Sequence, residues 1–224
     1  MPMIFFRHNL ATWTKGVANT LFKPILHHQV KLSIKTAPEM APSPAKRIVW
    51  VDLEMTGLNV EVDQILEIAC LVTDADLNIV ATGPNIIIHH PEEILSNMNQ
   101  WCITQHGESG LTDACRESNV SVTEAENQIL AFVKAHVPEN KCSLGGNSVY
   151  MDRLFIQKYM PKLNNYLHYR IIDVSTIKEL ARRWYPKEYS RQPRKKFEHR
   201  CLSDIIESIE ELKYYKQHIF KTVS

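Results

Sequence analysis

Residues 48–58 read Ile-Val-Trp-Val-Asp-Leu-Glu-Met-Thr-Gly-Leu, an apolar run that ends in two carboxylates separated by one residue. Ile48–Val51 has the β-branched and aromatic composition of a buried strand ending at Asp52. Period-two alternation sends Asp52 and Glu54 to one face and Leu53 to the other. Two carboxylates side by side at the open end of a buried strand repel each other unless a cation joins them. Their hard oxygen atoms select Mg²⁺ or Mn²⁺ rather than zinc. Alone, this Asp-x-Glu spacing also describes an ordinary solvated strand end.

The chain around this strand alternates in a way that fixes the fold class. A second strand is predicted at Leu66–Thr73 after a turn through Asn59–Asp63. A third strand or hairpin spans Ile79–Thr82 and Asn85–His89, interrupted at Gly83-Pro84. A short helix is predicted over Glu92–Met98. A long helix follows over Glu124–Val137, with Thr123 and Glu126 as a capping box and Ala125, Ile129, Phe132, Val133 and His136 on its inner face. Then come a strand at Cys142–Gly145, a helix at Val149–Met160, a strand at Tyr169–Val174 and a helix at Thr176–Trp184, capped through Glu179. A basic loop spans Pro186–Arg200, and the last helix, Leu202–Tyr215, has Leu202, Ile205, Ile206, Ile209 and Leu212 on its apolar face. A meander followed by alternating helices and strands predicts an α/β fold, a mixed β-sheet flanked by helices in a single domain over residues 47–224.

Further acids stand where this fold turns over. Asp152 follows Gly145-Gly146-Asn147-Ser148, at a strand-to-helix junction, and Asp204 falls in the first turn of the final helix. Each is also what an ordinary helix dipole attracts. His199 precedes Asp204 by five residues, which on one continuous helix would point the two about 140° apart. They converge only if His199 sits on the lead-in loop.

The set Asp52, Glu54, Asp152, Asp204 and His199 resembles that of the DEDDh 3′→5′ exonucleases, which have a ribonuclease H-like fold. The stretches WVDLEMTGL (50–58), GNSVYMDRLF (146–155), HYRIIDVSTIKEL (168–180), RRWYP (182–186) and HR…DIIESIEEL (199–212) are similar to the oligoribonucleases within that group. The resemblance covers nearly all of residues 47–220. It implies two divalent cations, Mg²⁺ or Mn²⁺, held by Asp52, Glu54, Asp152 and Asp204, with His199 as general base. It also implies Leu58 and Trp101 around the terminal bases, Ser148, Arg170 and Ser175 at the substrate's 5′ phosphate, and Tyr169 reaching that phosphate from a second subunit. The expected activity is removal of 5′-mononucleotides from the 3′ end of very short RNA, dinucleotides above all, by a homodimer. Two residues carry a plainer reading as well: Leu58 packing a turn and Trp101 filling the core. The departures are the variable loop Ser190–Glu198 and Ser203, where a second acid often precedes the catalytic one. Two other functions remain open at this point: an exonuclease for longer RNA or DNA, and an inactive exonuclease-like RNA-binding module.

Composition narrows the rest. No run approaches the ~18 apolar residues of a membrane span, so no membrane partner is expected. The five cysteines show no C-x-x-C spacing and are odd in number, which disfavours a zinc site or a disulfide framework. Residues 1–46 carry six basic side chains and one acid, Glu39, leaving 20 basic and 24 acidic residues in 47–224. That negative balance is poor for binding long duplexes and compatible with short substrates held through metals. Residues 1–38 have no Asp or Glu and an amphipathic stretch around Leu10–Phe22, features of a mitochondrial presequence. Residues 1–46 are therefore expected to be a matrix-directing presequence and Pro-rich linker. A second start at Met40 would yield a leaderless cytosolic or nuclear form.

Overall fold

The computed structural model describes residues 43–194 and 200–221. Its sheet is assembled from β1 (Ile48–Met55), β2 (Ile65–Thr73), β3 (Ile79–Ile87), β4 (Ser143–Gly146) and β5 (Ile171–Asp173), in the order β3-β2-β1-β4-β5. The first three strands form an antiparallel meander, and β4 and β5 add in parallel, so the sheet is mixed as expected. β1 continues past Val51 to Met55, carrying both carboxylates into the ladder, where Glu54 faces Glu67 across the pair with β2. β3 is one strand rather than two: Gly83 and Pro84 lie in a bulge opposite Cys70, which accommodates a proline that cannot donate to the ladder. A Cβ on Gly83 would sit 2.8 Å from the Cys70 carbonyl oxygen and 2.7 Å from the Phe132 ring, so the bulge demands glycine.

Both faces of the sheet are covered. Val49, Val51 and Leu53 point into a core shared with α4 (Val122–His136), α5 (Val149–Tyr159) and α6 (Pro161–Tyr166). Ile48, Trp50, Ala69 and Leu71 point the other way, against α7 (Val174–Trp184) and α9 (Cys201–His218). Between α7 and α9 lies the short α8 (Pro186–Tyr189). Trp50 is fully buried and its indole Nε1–H donates to Thr73 Oγ1 at 2.9 Å. Covering on two faces explains why every residue of β2 is buried.

Several local expectations change. Helix α1 is only Glu92–Leu95, and α2 (Gln100–Glu108) and α3 (Leu111–Glu117) are elements the apolar pattern did not reveal. They pack Leu95, Met98, Cys102, Leu111 and Cys115 on Leu66 at the end of the sheet. The cap of α4 is Ser121, whose hydroxyl accepts from the Glu124 N–H, not Thr123. Glu126 is buried instead and accepts the Lys162 and Leu163 N–H groups, capping α6. Asp173 caps α7 by accepting from Ser175 N–H, while Glu179 pairs with Arg182 and Arg183 farther along. On α9, Ile205 and Ile209 are buried but Ile206 is exposed, because the helix stripe is narrower than its apolar residues.

Candidate active site

The carboxylates come together from three layers. Asp52 and Glu54 lie on the same face of β1 as Ile48 and Trp50, beneath the first turn of α9, which carries Asp204. Asp152 arrives from the first turn of α5, in the opposite layer, and is itself buried. Its Oδ1 accepts the Leu53 backbone N–H at 2.9 Å, a bond that ties α5 to β1 at the residue between its two acids.

Electrostatics record the convergence. Burial pushes the Asp52 carboxyl well above its usual range, and the charges of Asp152, Glu54 and Asp204 push it further. Glu54 is pushed up to about 8, first by burial and then by Asp204, Glu67 and Asp152. Asp152 is pushed up to about 7 by burial, against the opposing effect of its backbone hydrogen bonds. His199 lies outside the described residues; Arg200 beside it is described, and α9 starts at Cys201.

Sequence reasoning missed three neighbours of this cluster. Glu67 is fully buried in β2 and accepts from Arg200 Nη2 at 2.9 Å and Nε at 3.2 Å, and from Asn85 Nδ2 at 2.6 Å. An acid inside the apolar run Ile-Leu-Glu-Ile-Ala-Cys-Leu-Val was the available signal, since a buried charge requires a partner. The Cys201 sulfur lies within 4.8 Å of carboxylate oxygens of Asp52 and Glu54. Burial and the adjacent acids push its thiol far up, so it stays protonated and hydrogen-bonds Asp52. All five cysteines are buried and free. His106 is buried, with Nε2 3.0 Å from the Met55 carbonyl oxygen and Nδ1 3.9 Å from Glu54 Oε2.

Beside Glu54 opens a cavity of about 400 Å³ lined by residues that include Leu58, Asn99, Trp101 and His106. Leu58 and Trp101 are 67% and 58% exposed at its rim, which overturns the reading of Trp101 as core. Gly57 shapes this rim: a Cβ there would lie 2.4 Å from Asp63 Oδ2, the carboxylate that receives the Asn59 N–H and closes the loop. On the other side, the Ser148 and Ser175 hydroxyls are 3.2 Å apart. Arg170 lies over the Tyr169 ring at 5.4 Å, and Tyr169, 73% exposed, stacks on His168. The structure thus pairs Ser148 with Ser175, and Tyr169 with Arg170.

The family model described as Exonuclease (RNase_T) matches residues 49–212. A protein of Homo sapiens named "Oligoribonuclease, mitochondrial" is 57% identical over 179 residues, covering 80% of this chain and 76% of that protein. The "Probable oligoribonuclease" of Drosophila melanogaster is 56% identical over 174 residues, covering 78% and 82%. The chain belongs to the oligoribonuclease family. Among solved structures, the zinc-bound ExoI–ssDNA complex of E. coli superposes with a TM-score of 0.62 at 14% identity, covering 78% of this chain and 41% of that one. At that identity the likeness is one of fold, the ribonuclease H-like architecture expected from the sequence.

The donor set of this oligoribonuclease-family site fits divalent cations. Asp52, Glu54, Asp152 and Asp204 offer only hard oxygen atoms, and four negative charges are balanced by two divalent ions. Arg200, the cation that opposes the Glu54 shift, is already engaged by Glu67.

The raised carboxyl groups give a pH signature for the cation-free protein. Unfolded, these acids titrate near about 4; folded, Glu54 and Asp152 hold protons up to about 8 and about 7. Between those limits the native state binds more protons than the unfolded one, so stability falls as pH rises. Thermal melting in chelator is expected to show Tm decreasing from pH 5 to 8, with Mg²⁺ or Mn²⁺ removing the slope by holding the carboxylates ionised. A flat profile in chelator would refute the strained-cluster reading.

Proposed function

We propose that this protein is a 3′→5′ exoribonuclease that degrades very short RNA, dinucleotides above all, to 5′-mononucleotides. The observation that carries the reading is the convergence of Asp52, Glu54, Asp152 and Asp204 beside a cavity rimmed by Leu58 and Trp101, in a chain of the oligoribonuclease family. When bound, divalent cations lower the pKa of water and offset charge on the scissile phosphate. Asp52, whose carboxyl feels the charges of Asp152, Glu54 and Asp204, would hold the cations together with those three acids. His199 accepts the proton of the attacking water at an imidazole nitrogen near neutral pH. The Glu67–Arg200 ion pair anchors Arg200, which follows His199 in the chain. Leu58 and Trp101 bracket the terminal bases, since an exposed aromatic face grips any base without reading it.

Ser148, Ser175 and Arg170 are assigned to the 5′ phosphate. A pocket closed over that phosphate limits length, because a longer chain has nowhere to continue. No observation favours an inactive binding module, which would have no use for four mutually repelling carboxylates. The test is a rate series on RNA of two to ten nucleotides with Mg²⁺ or Mn²⁺. Turnover is expected to be fastest on the dinucleotide and to drop sharply beyond it; equal rates across the series would overturn the length assignment.

The exposed Tyr169 suits a residue that completes the phosphate pocket of a second copy, which makes the active unit a symmetric homodimer. Tyr169→Ala and Asp52→Asn are then each nearly inactive alone. After subunit exchange their equal mixture recovers about 25% of wild-type activity by random pairing. Mixtures as inactive as their components, with exchange verified, would return Tyr169 to its own subunit.

Residues 1–46 are proposed as a mitochondrial presequence and linker, and 47–224 as the enzyme. The acid-free composition of residues 1–38 and the mitochondrial relatives of Homo sapiens, Bos taurus and Mus musculus support this. A fluorescent protein fused after residue 46 is expected in the mitochondrial matrix, and a cytosolic fusion would remove the claim. Among the described residues no helix is long and apolar enough to cross a membrane.

A further inference from the structure

A directional chain of hydrogen bonds runs from the serine pair to the helix that carries Asp204. Ser148 Oγ donates to Ser175 Oγ at 3.2 Å, and Ser175 Oγ donates to Asn147 Oδ1 at 3.1 Å. The Asn147 carboxamide then uses its two protons on α9, donating to Ser208 Oγ at 2.8 Å and to Glu211 Oε2 at 3.2 Å. Ser208 Oγ in turn donates to the backbone carbonyl of Asp204 at 2.7 Å. Each hydroxyl proton is used once, so the donors and acceptors close without conflict.

Both ends of this chain are held rigid. Ser148 sits in the left-handed region, at φ +51°, and its N–H is shared between Asp173 Oδ1 at 3.0 Å and Ser175 Oγ at 2.9 Å. Asp173 also caps α7 through the Ser175 N–H. At the other end, Ser208 and Glu211 are buried, and Glu211 is fixed by Lys178 Nζ at 3.2 Å and Tyr215 Oη at 3.1 Å. Among the described residues Asn147 joins the two ends directly, accepting from Ser175 and donating to Ser208 and Glu211. An amide suits that position because it accepts from one side and donates to the other; aspartate would place a carboxylate against buried Glu211.

We propose that Asn147 and Ser208 form a strut that fixes the spacing between the phosphate-binding turn and Asp204, and thereby sets the substrate length the enzyme accepts. This rests on the assignment of Ser148 and Ser175 to the 5′ phosphate. A nucleotide chain gripped at its 5′ phosphate reaches the acids only if its length matches that spacing. Loosening the strut lets the two ends drift, which penalises the matched dinucleotide more than longer substrates that were already misplaced. Asn147 and Ser208 are positioning residues and touch neither the phosphate nor the reacting atoms.

The test compares wild type, Asn147→Ala and Ser208→Ala on dinucleotides and trinucleotides, each with and without a 5′ phosphate. Equilibrium affinity for the dinucleotide is measured in parallel, in an Asp52→Asn background that does not turn over. Wild type is expected to prefer the 5′-phosphorylated dinucleotide. Both variants are expected to lower the dinucleotide-to-trinucleotide ratio of kcat/KM by roughly 5-fold, the usual worth of one net hydrogen bond. The affinity gained from the 5′ phosphate is expected to shrink with it. If wild type prefers the phosphorylated substrate but the variants slow all lengths by the same factor, the strut is refuted while the phosphate pocket stands. If wild type is indifferent to the 5′ phosphate, the pocket assignment fails and the strut with it. Should Asn147→Ala not fold, Ser208→Ala removes a single hydroxyl and decides alone.

Discussion

Like charges crowded into a half-buried volume oppose folding, and the scaffold around β1 exists to hold Asp52, Glu54, Asp152 and Asp204 together in spite of that. No single element could do so. Asp52 and Glu54 share a strand face, but Asp152 and Asp204 come from helices packed on opposite sides of the sheet. The Leu53 N–H between the two strand acids is the contact that draws Asp152 to the sheet's end. Removing a backbone partner from a buried carboxylate costs the desolvation of that group, so this bond fixes α5 as well as the acid. The cluster is thus complementary to cations, and its protonation substitutes for them when they are absent.

Around this cluster the charge is graded. Glu67 adds to the repulsion on Glu54, yet it accepts a hydrogen bond from Asn85 and is paired with Arg200, which ties the start of α9 to β2. Cys201 supplies a neutral donor to Asp52 in a place where another charge would be costly. His106 closes the floor of the adjacent cavity by bonding the Met55 carbonyl, at the bulge where β1 leaves its register with β2. Dense polar interactions at the sheet's end contrast with the wholly apolar packing of Val49, Val51 and Cys70 a few residues away. That contrast separates the part of β1 that stabilises from the part that acts.

The features legible in the sequence were those governed by local periodicity. Alternation placed Asp52 and Glu54 on one face, and helix-start chemistry placed Asp152 and Asp204 in first turns, as the structure has them. What local pattern could not give was the identity of distant partners. Glu126 looked like half of a capping box but reaches the N-terminus of α6, 36 residues on. Trp101 carried two readings, a base contact and a core residue, and tertiary packing leaves it exposed at a cavity rim. The helices α2 and α3 escaped notice because they bury few residues each, Cys102 and His106 in one and Leu111 and Cys115 in the other. Glu67 was visible only as an anomaly, an acid in an apolar strand whose partner Arg200 lies 133 residues away.

The account depends on the four acids acting as one site for two cations. Calorimetric titration of Mn²⁺ into the cation-free protein addresses that directly, with Asp52→Asn as the comparison. The expected result is two ions bound per chain in wild type, with proton release as the raised carboxyl groups ionise. In Asp52→Asn, affinity for both ions collapses while the cation-free Tm rises, because the central charge is gone and its volume is nearly kept. Two ions bound with undiminished affinity by Asp52→Asn would contradict the account.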